Sequence, residues 1–338
     1  MKKSFSDIFE DQTRLAVKIP QSAYLHSGKY IIVDQGQKDI AGYSDNSEGL
    51  FTDIPAIVFG DHTRIIKYVD EPFFIGADGV KVLKSTIKNA DCKYLFYALK
   101  NVKIPNTGYN RHFKWLKDSY IEIPNLQVQK QIAMRLDKIQ ELVSLQNEQI
   151  RKLEQLVKSR FMEMFGDPIT NPKGWSVKKV IDVITLQRGY DLPVQDRNTN
   201  GNIPVYGSNG IVGKHDTSKL DFGIITGRSG TLGIVYCSHK PFWPLNTTLF
   251  SSDTHGNNIV YLKYLLTFYN LKRFSAGTGV PTLNRNVFHD TKIIDVPLSL
   301  QKQFAEFVER TETQKALLEK RLNRLETLYK SLMQQYFG

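Results

Sequence analysis

The sequence predicts an α+β protein: two globular domains separated by two long helices that form an antiparallel coiled coil, the whole a pseudo-two-fold internal repeat. Three observations predict it. Segments recur at one fixed offset, two long stretches keep a seven-residue apolar period, and the rest is short strand-like fragments broken by turn residues.

The repeat is read from three matched segments. Leu156-Val157-Lys158-Ser159-Arg160-Phe161-Met162-Glu163-Met164-Phe165-Gly166 returns as Leu328-Tyr329-Lys330-Ser331-Leu332-Met333-Gln334-Gln335-Tyr336-Phe337-Gly338, with Leu, Lys, Ser, Phe and Gly aligned. The shift from Gly166 to Gly338 is 172 residues, and the same shift aligns Gln129-Lys130-Gln131-Ile132-Ala133 with Gln301-Lys302-Gln303-Phe304-Ala305. An apolar-proline step precedes each, Ile123-Pro124 and Val296-Pro297. Further upstream Asn110-Arg111 is read as the counterpart of Asn284-Arg285.

Each repeat has a globular part and a helical part, giving domains at 1–125 and 167–298 and long helices at 126–166 and 299–338. In the globular parts Tyr30-Ile31-Ile32-Val33, Ala56-Ile57-Val58-Phe59 and Gly223-Ile224-Ile225-Thr226 read as short strands. Turn signals such as Gly207-Ser208-Asn209-Gly210 and Ser229-Gly230 separate the strands. Helices are predicted around Asp91–Asn101 and Ile259–Phe274, so each domain is α+β.

The helical parts carry a heptad. Leu136, Val143, Ile150, Val157 and Met164 fall every seven positions, with Ile139 and Leu153 three residues on. The second stretch gives Val308, Leu322, Tyr329 and Tyr336, with Leu318, Leu325 and Leu332 in the companion places. Gln146, Arg160 and Lys315 interrupt the seam. A pair of amphipathic helices packed on their own domains would share this pattern, but each stretch is over three times the ~11–12 residues of an ordinary helix. The predicted seam is Leu136, Val143, Ile150, Leu318, Leu325 and Leu332. Phe161, Phe165, Tyr336 and Phe337 are apolar residues left over for a partner, or for capping the helices onto the domains.

Connectivity sets the geometry. The domain at 167–298 starts where one helix ends and finishes where the other begins, so a compact domain forces the helices antiparallel. Forty residues at ~1.5 Å rise make a shaft of roughly 60 Å. Heads on such a shaft suit successive major grooves on one side of a DNA duplex, whose turn is about 34 Å. Because the heads differ in sequence, the predicted target is bipartite and asymmetric with an unread spacer.

The bulk composition is consistent with that partner. Hydrophobic content is 41% and charged content 23%, ordinary for a globular chain, while the formal charge of +11 favours a polyanion. Lys and Arg exceed Asp and Glu by 14 to 9 over residues 166–299, but only by 17 to 15 over 1–125. Cys92 and Cys237 form no disulfide framework and the seven histidines show no metal-ligand spacing, so a reduced cytoplasmic setting without a metal is expected. No signal peptide follows Lys2-Lys3, and no apolar run is long enough to span a membrane.

Over essentially its whole length the chain resembles the specificity subunits of type I restriction-modification systems. The motifs that carry the resemblance are Gly277-Thr278-Gly279-Val280-Pro281-Thr282-Leu283, Ile294-Asp295-Val296-Pro297-Leu298 and Gln301-Lys302-Gln303. Asn171-Pro172-Lys173-Gly174-Trp175-Ser176-Val177-Lys178-Lys179-Val180 and Ile203-Pro204-Val205-Tyr206-Gly207-Ser208-Asn209-Gly210 add to them. The first half lacks the Gly-Trp start and has Asn106-Thr107-Gly108-Tyr109-Asn110 in place of Gly-Thr-Gly-Val-Pro.

The resemblance implies that the two domains are target-recognition domains for double-stranded DNA, and that the subunit itself is not an enzyme. It implies two modification subunits that methylate adenine with S-adenosylmethionine, bound on the helices, and motor-nuclease restriction subunits using ATP and Mg²⁺. No cofactor is expected in this chain.

The sequence matches none of the common catalytic motifs. Asn171-Pro172-Lys173-Gly174 and Asp167-Pro168-Ile169-Thr170 are not an Asn/Asp-Pro-Pro-aromatic motif, and no phosphate-binding GxxxxGK[ST] occurs. Gly227-Arg228-Ser229-Gly230 lacks the spacing of GxSxG, and Gly277-Thr278-Gly279 reads as a tight turn. Two alternatives share the pattern: the recognition subunit of a type IIB-like restriction enzyme, and a coiled-coil scaffold that does not bind DNA.

Base reading calls for paired donors and acceptors: Arg for guanine, Gln or Asn for adenine, with Lys on phosphates. In the first domain the candidates are Gln35, Gln37, Lys38, Arg64, Tyr109, Arg111 and His112. In the second they are Arg188, Tyr206, Ser208, Asn209, Lys214, Arg228 and Arg285. An isolated surface Arg is more often simply solvated, Tyr206 also suits a core, and the recurring Asn-Arg pair also suits a shared structural role.

Overall fold

Ser4 and Asp7 form a reciprocal capping box that starts the first turn of helix directly after the first strand. The elements are β1 (Lys2–Ser4), α1 (Phe5–Ile8), β2 (Phe9–Asp11), β3 (Tyr30–Val33), β4 (Gly42–Ser44), β5 (Ala56–Gly60), β6 (Ile66–Val69), β7 (Phe73–Ile75), β8 (Val80–Ser85), α2 (Cys92–Asn101), α3 (Phe113–Lys117) and β9 (Tyr120–Glu122). This is a computed structural model; it describes residues 1–338 except Ala77, Tyr109, Thr278 and Val280. The strands make a sheet in the order β2-β8-β5-β6, a second in the order β4-β3-β7 with β3 and β7 parallel, and the pair β1-β9.

Strand β5 reads Ala-Ile-Val-Phe-Gly and is buried throughout, so it has no polar face. Its alternate side chains feed two cores. Ile57 and Phe59 pack with Tyr94, Leu95 and Leu99 of α2, while Ala56 and Val58 pack with Phe73 and Val82.

After α4 (Leu126–Phe165) the same order returns: β10 (Val177–Lys179), α5 (Val180–Val183), β11 (Thr185–Arg188), β12 (Ile203–Gly207), β13 (Gly210–His215), β14 (Gly223–Gly227), β15 (Val235–Ser238), β16 (Trp243–Pro244), β17 (Thr248–Asp253), α6 (Ile259–Phe268), β18 (Ser275–Ala276), β19 (Thr282–Leu283), α7 (Arg285–His289), β20 (Lys292–Ile294) and α8 (Leu298–Phe337). The sheets are β11-β17-β14-β15, β13-β12-β16 with β12 and β16 parallel, and β10-β20, matching the first copy strand for strand. The small β18-β19 pair is added.

The register of the repeat corrects one expectation. Helices α3 and α7 start at Phe113 and Arg285, the same 172-residue shift that separates α4 from α8. Asn284 therefore corresponds to His112, and the Asn110-Arg111 match with Asn284-Arg285 is a coincidence of residue type. Asn284 caps α7 by accepting from the N–H groups of Asn286 and Val287. His112 makes no such bond; the first N–H of α3, on Phe113, donates instead to the buried carboxylate of Asp61 at 2.7 Å.

By contacts the chain divides into Met1–Asn147 with Lys320–Gly338, and Glu148–Glu319, so each 40-residue helix contributes a part to both units. In the first unit Arg135 Nη1 donates to Tyr336 Oη at 3.0 Å and Gln140 Nε2 to Tyr329 Oη at 3.2 Å. In the second, Lys315 Nζ meets Glu154 Oε1 at 2.5 Å and the rings of Phe161 and Phe304 lie 5.5 Å apart. Higher numbers on α4 meet lower numbers on α8 in each unit, so the helix segments run antiparallel. Leu136 is fully buried, and Val143, Ile150, Leu318, Leu325 and Leu332 are half-buried.

Phe161 and Phe165 are not spare surface. Both are wholly buried in the second unit's core, against Tyr261 and Phe304, because the last turns of α4 sit under α6 and the start of α8. Tyr336 and Phe337 are half-buried in the first unit, where Phe337 packs 5.3 Å from Tyr94. The last carbonyls of both helices are met by side chains: Trp175 Nε1 donates to Phe165 O at 3.0 Å, and Asn101 Nδ2 to Phe337 O at 2.8 Å. Among the described residues no helix is long and apolar enough to cross a membrane.

Candidate nucleic-acid interface

In the first unit four loops are tied together at one end of the two sheets. They are the β3–β4 loop, the β5–β6 loop, the β7–β8 loop and the segment before α3. Gln35 bridges three of them: its Oε1 accepts from His62 N–H at 3.2 Å and its Nε2 donates to Asp78 O at 3.0 Å. The backbone completes the junction, with Asp61 N–H on Gly79 O at 2.7 Å and His112 N–H on Asp61 O at 2.8 Å.

These bonds separate holders from groups that face outward. Gln35 is half-buried and commits one bond from each end of its amide to the loops, so it holds the junction together. His112 is fully buried, and its Nδ1 lies 2.9 Å from Asp61 O, so that nitrogen carries the proton and donates. Burial removes His112 from the reading set. Arg64 is half-buried and reaches Ile104 O at 3.4 Å. Gln37, Lys38 and Arg111 stand exposed around the junction, and Tyr109 lies outside the described residues. Asp78 beside them is held below the usual carboxylate range by Lys18 at 2.6 Å and, more weakly, by Arg111.

The second unit builds the matching junction from the β12–β13 turn, the β14–β15 loop, the β16–β17 loop and the segment before α7. Arg228 and Ser229 N–H groups both donate to Thr247 O, Gly230 N–H to Pro281 O, and Leu283 N–H to Arg228 O. A methyl group built on Gly227 would lie 3.3 Å from Ser208 Cβ, so the turn carrying Ser208 and Asn209 abuts this loop. Arg228 Nε donates to Asn246 O at 2.9 Å, and Asn246 Nδ2 donates to Asp191 Oδ1. That chain fixes the guanidinium by its inner nitrogen; among the described residues no hydrogen bond occupies its outer two.

Asn209, Lys214 and Arg188 are exposed, and Ser208, Arg228 and Arg285 are half-buried. Tyr206 is half-buried and packs with its ring 5.7 Å from Phe242 and 6.0 Å from Tyr236. Asp78, Asp191 and Asn246 belong to these junctions and were not picked from the sequence. Their loops carry no motif, and only the sheet order brings them to the site.

The same arrangement of sheets is built twice along the chain, and the fold has known relatives. It is similar to the type I restriction-modification S subunit from M. genitalium, with a TM-score of 0.74 at 17% identity, covering 100% of this chain and 96% of that one. It is also similar to a chain from a study of complex assembly and conformational transition of the type I R-M system, with a TM-score of 0.57 at 14% identity, covering 100% and 97%. At these identities the likeness is one of fold. Residues 1–155 and 172–327 both match the type I restriction modification DNA specificity domain, so the chain belongs to that family and carries the domain twice.

Proposed function

We propose that this chain is the subunit that reads DNA for a type I restriction-modification complex, with catalysis residing in its partners. On this reading each unit contacts one half of a bipartite target. Because the junctions differ in side chains, the half-sites differ and the target is asymmetric. The observation that carries the reading is the four-loop junction built twice on the same sheet order, polar in the first unit and centred on Arg228 in the second.

The long helices act as an antiparallel coiled coil and as the platform for two modification subunits, which methylate adenine, with restriction subunits joining them. Matched exposed leucines support this. Leu145 and Leu317 occupy equivalent places 172 residues apart, as do Leu156 and Leu328, and all four are exposed. Leu145 and Leu328 belong to the first unit and Leu156 and Leu317 to the second, so each unit presents one such leucine from each helix. Two equivalent apolar faces suit a partner present in two copies.

The test is selection of bound duplexes from a randomised pool by the chain assembled with its modification subunit. Two specified blocks around a fixed unread gap are expected; capture without sequence preference contradicts the reading. Arg228→Ala should cost about 1–3 kcal/mol and relax one position of one block. Uniform weakening on every sequence would assign Arg228 to a phosphate instead.

A further inference from the structure

We infer that the second unit recognises its half-site in part through the 5-methyl group of a thymine, using Ile211, Val212 and Ile234; this rests on the DNA-reading function proposed above. Ile211 and Val212 directly follow the Ser208-Asn209 turn, and Ile234 closes the β14–β15 loop against which that turn sits. They are 61%, 45% and 44% exposed. These three partly exposed β-branched aliphatics, on two abutting segments, give the junction apolar surface that an apolar group can cover.

Among the described residues, the junction of the first unit shows no such feature; Tyr109 in it lies outside them. Among the described residues no large hydrophobic between 26 and 119 is exposed. The difference therefore belongs to what each unit reads and not to the shared scaffold. The occupant follows from chemistry: among the base edges of the major groove the one apolar group is the thymine methyl. Exposed Asn209 and Lys214 and the tethered Arg228 supply polar and cationic contacts beside the aliphatics, as a base pair flanked by phosphate requires.

The test uses the full chain with its modification subunit on the selected target duplex, replacing each thymine singly by deoxyuridine. That change keeps base pairing and deletes only the methyl. The block relaxed by Arg228→Ala identifies the second unit's half-site. We expect about fourfold weaker binding for one deoxyuridine in that block, in line with one buried methyl, and no change in the other block. In one or more of Ile211→Ala, Val212→Ala and Ile234→Ala, surface changes that leave the melting temperature in place, the deoxyuridine penalty should vanish. Sequence-specific binding with no penalty in that block, a penalty unchanged in all three variants, or a block made only of G·C pairs overturns the inference alone. Loss of all sequence preference overturns the DNA-reading function with it.

Discussion

Gln129 and Gln301 make the same pair of hydrogen bonds at equivalent places in the two repeats. Gln129 Oε1 accepts from Asp91 N–H at 2.9 Å while its Nε2 donates to Pro124 O at 2.7 Å; Gln301 accepts from Asn258 N–H at 2.9 Å and donates to Val296 O at 2.8 Å. Asp91 and Asn258 are the N-caps of α2 and α6. Each glutamine therefore locks the first turn of a long helix to the start of the helix that packs on it. Both side chains are buried, so an apolar replacement strands a backbone N–H and a carbonyl. Gln129→Leu and Gln301→Leu should each cost about 1–3 kcal/mol, read by thermal unfolding.

Tyr94 and Tyr261 stand three residues after those caps but differ in their hydroxyls. Tyr94 Oη donates to Glu122 O at 2.7 Å, whereas Tyr261 Oη is buried with no hydrogen-bond partner among the described residues. Tyr94→Phe should lose about 1 kcal/mol. Tyr261→Phe should be neutral or stabilising, since it removes a buried polar group that gains nothing from the fold. Equal losses in denaturant unfolding would contradict the difference.

The two faces of the long helices should separate stability from assembly. Phe161→Ala empties a fully buried site and should cost about 3–5 kcal/mol. Leu145→Glu with Leu317→Glu changes only exposed positions, so the melting temperature should hold while co-purification of modification subunits falls. Retention of both modification subunits by that double variant would count against the proposed platform.

His289 gives the second unit a pH dependence. Its Nε2 accepts from Leu186 N–H at 3.0 Å, which requires the neutral ring, and burial, aided by Arg285, pulls its pKa below the ordinary value. The unfolded chain then binds the proton first as pH falls. The stabilising contribution is complete above about pH 6.5 and is lost below it, towards the folded value, at no more than ~1.4 kcal/mol per pH unit. His289→Gln should be less stable than the wild type at pH 7.5 and should lose less on going to pH 5. Parallel pH curves for the two proteins would show that this ring does not titrate as described.

The long helices were legible because their heptad is local, the repeat because matched segments share one offset, and the strands at Tyr30, Ala56 and Gly223 because their residues are rich in β-branched types and bounded by turns. What failed was long-range. Asn110-Arg111 looked like Asn284-Arg285, yet the cap of α3 comes from Asp61, 52 residues away, and no local pattern records that substitution. Likewise Asn101 does at the end of α8 what Trp175 does at the end of α4, so the first half dispenses with the Gly-Trp start. Gln35 and His112 carry side chains able to read bases, but the fold uses those same groups to hold loops. Gln37, Lys38, Arg111, Asn209 and Lys214 remain exposed to solvent at the junctions.

DNA reading by this chain can be tested by sequencing the methylome of a host that expresses it with its modification subunit, against the same host without the chain. A new methyladenine motif of two unlike blocks around a fixed spacer is expected, present only with the chain and loosened at one position by Arg228→Ala. A formed complex that leaves no new motif would contradict it.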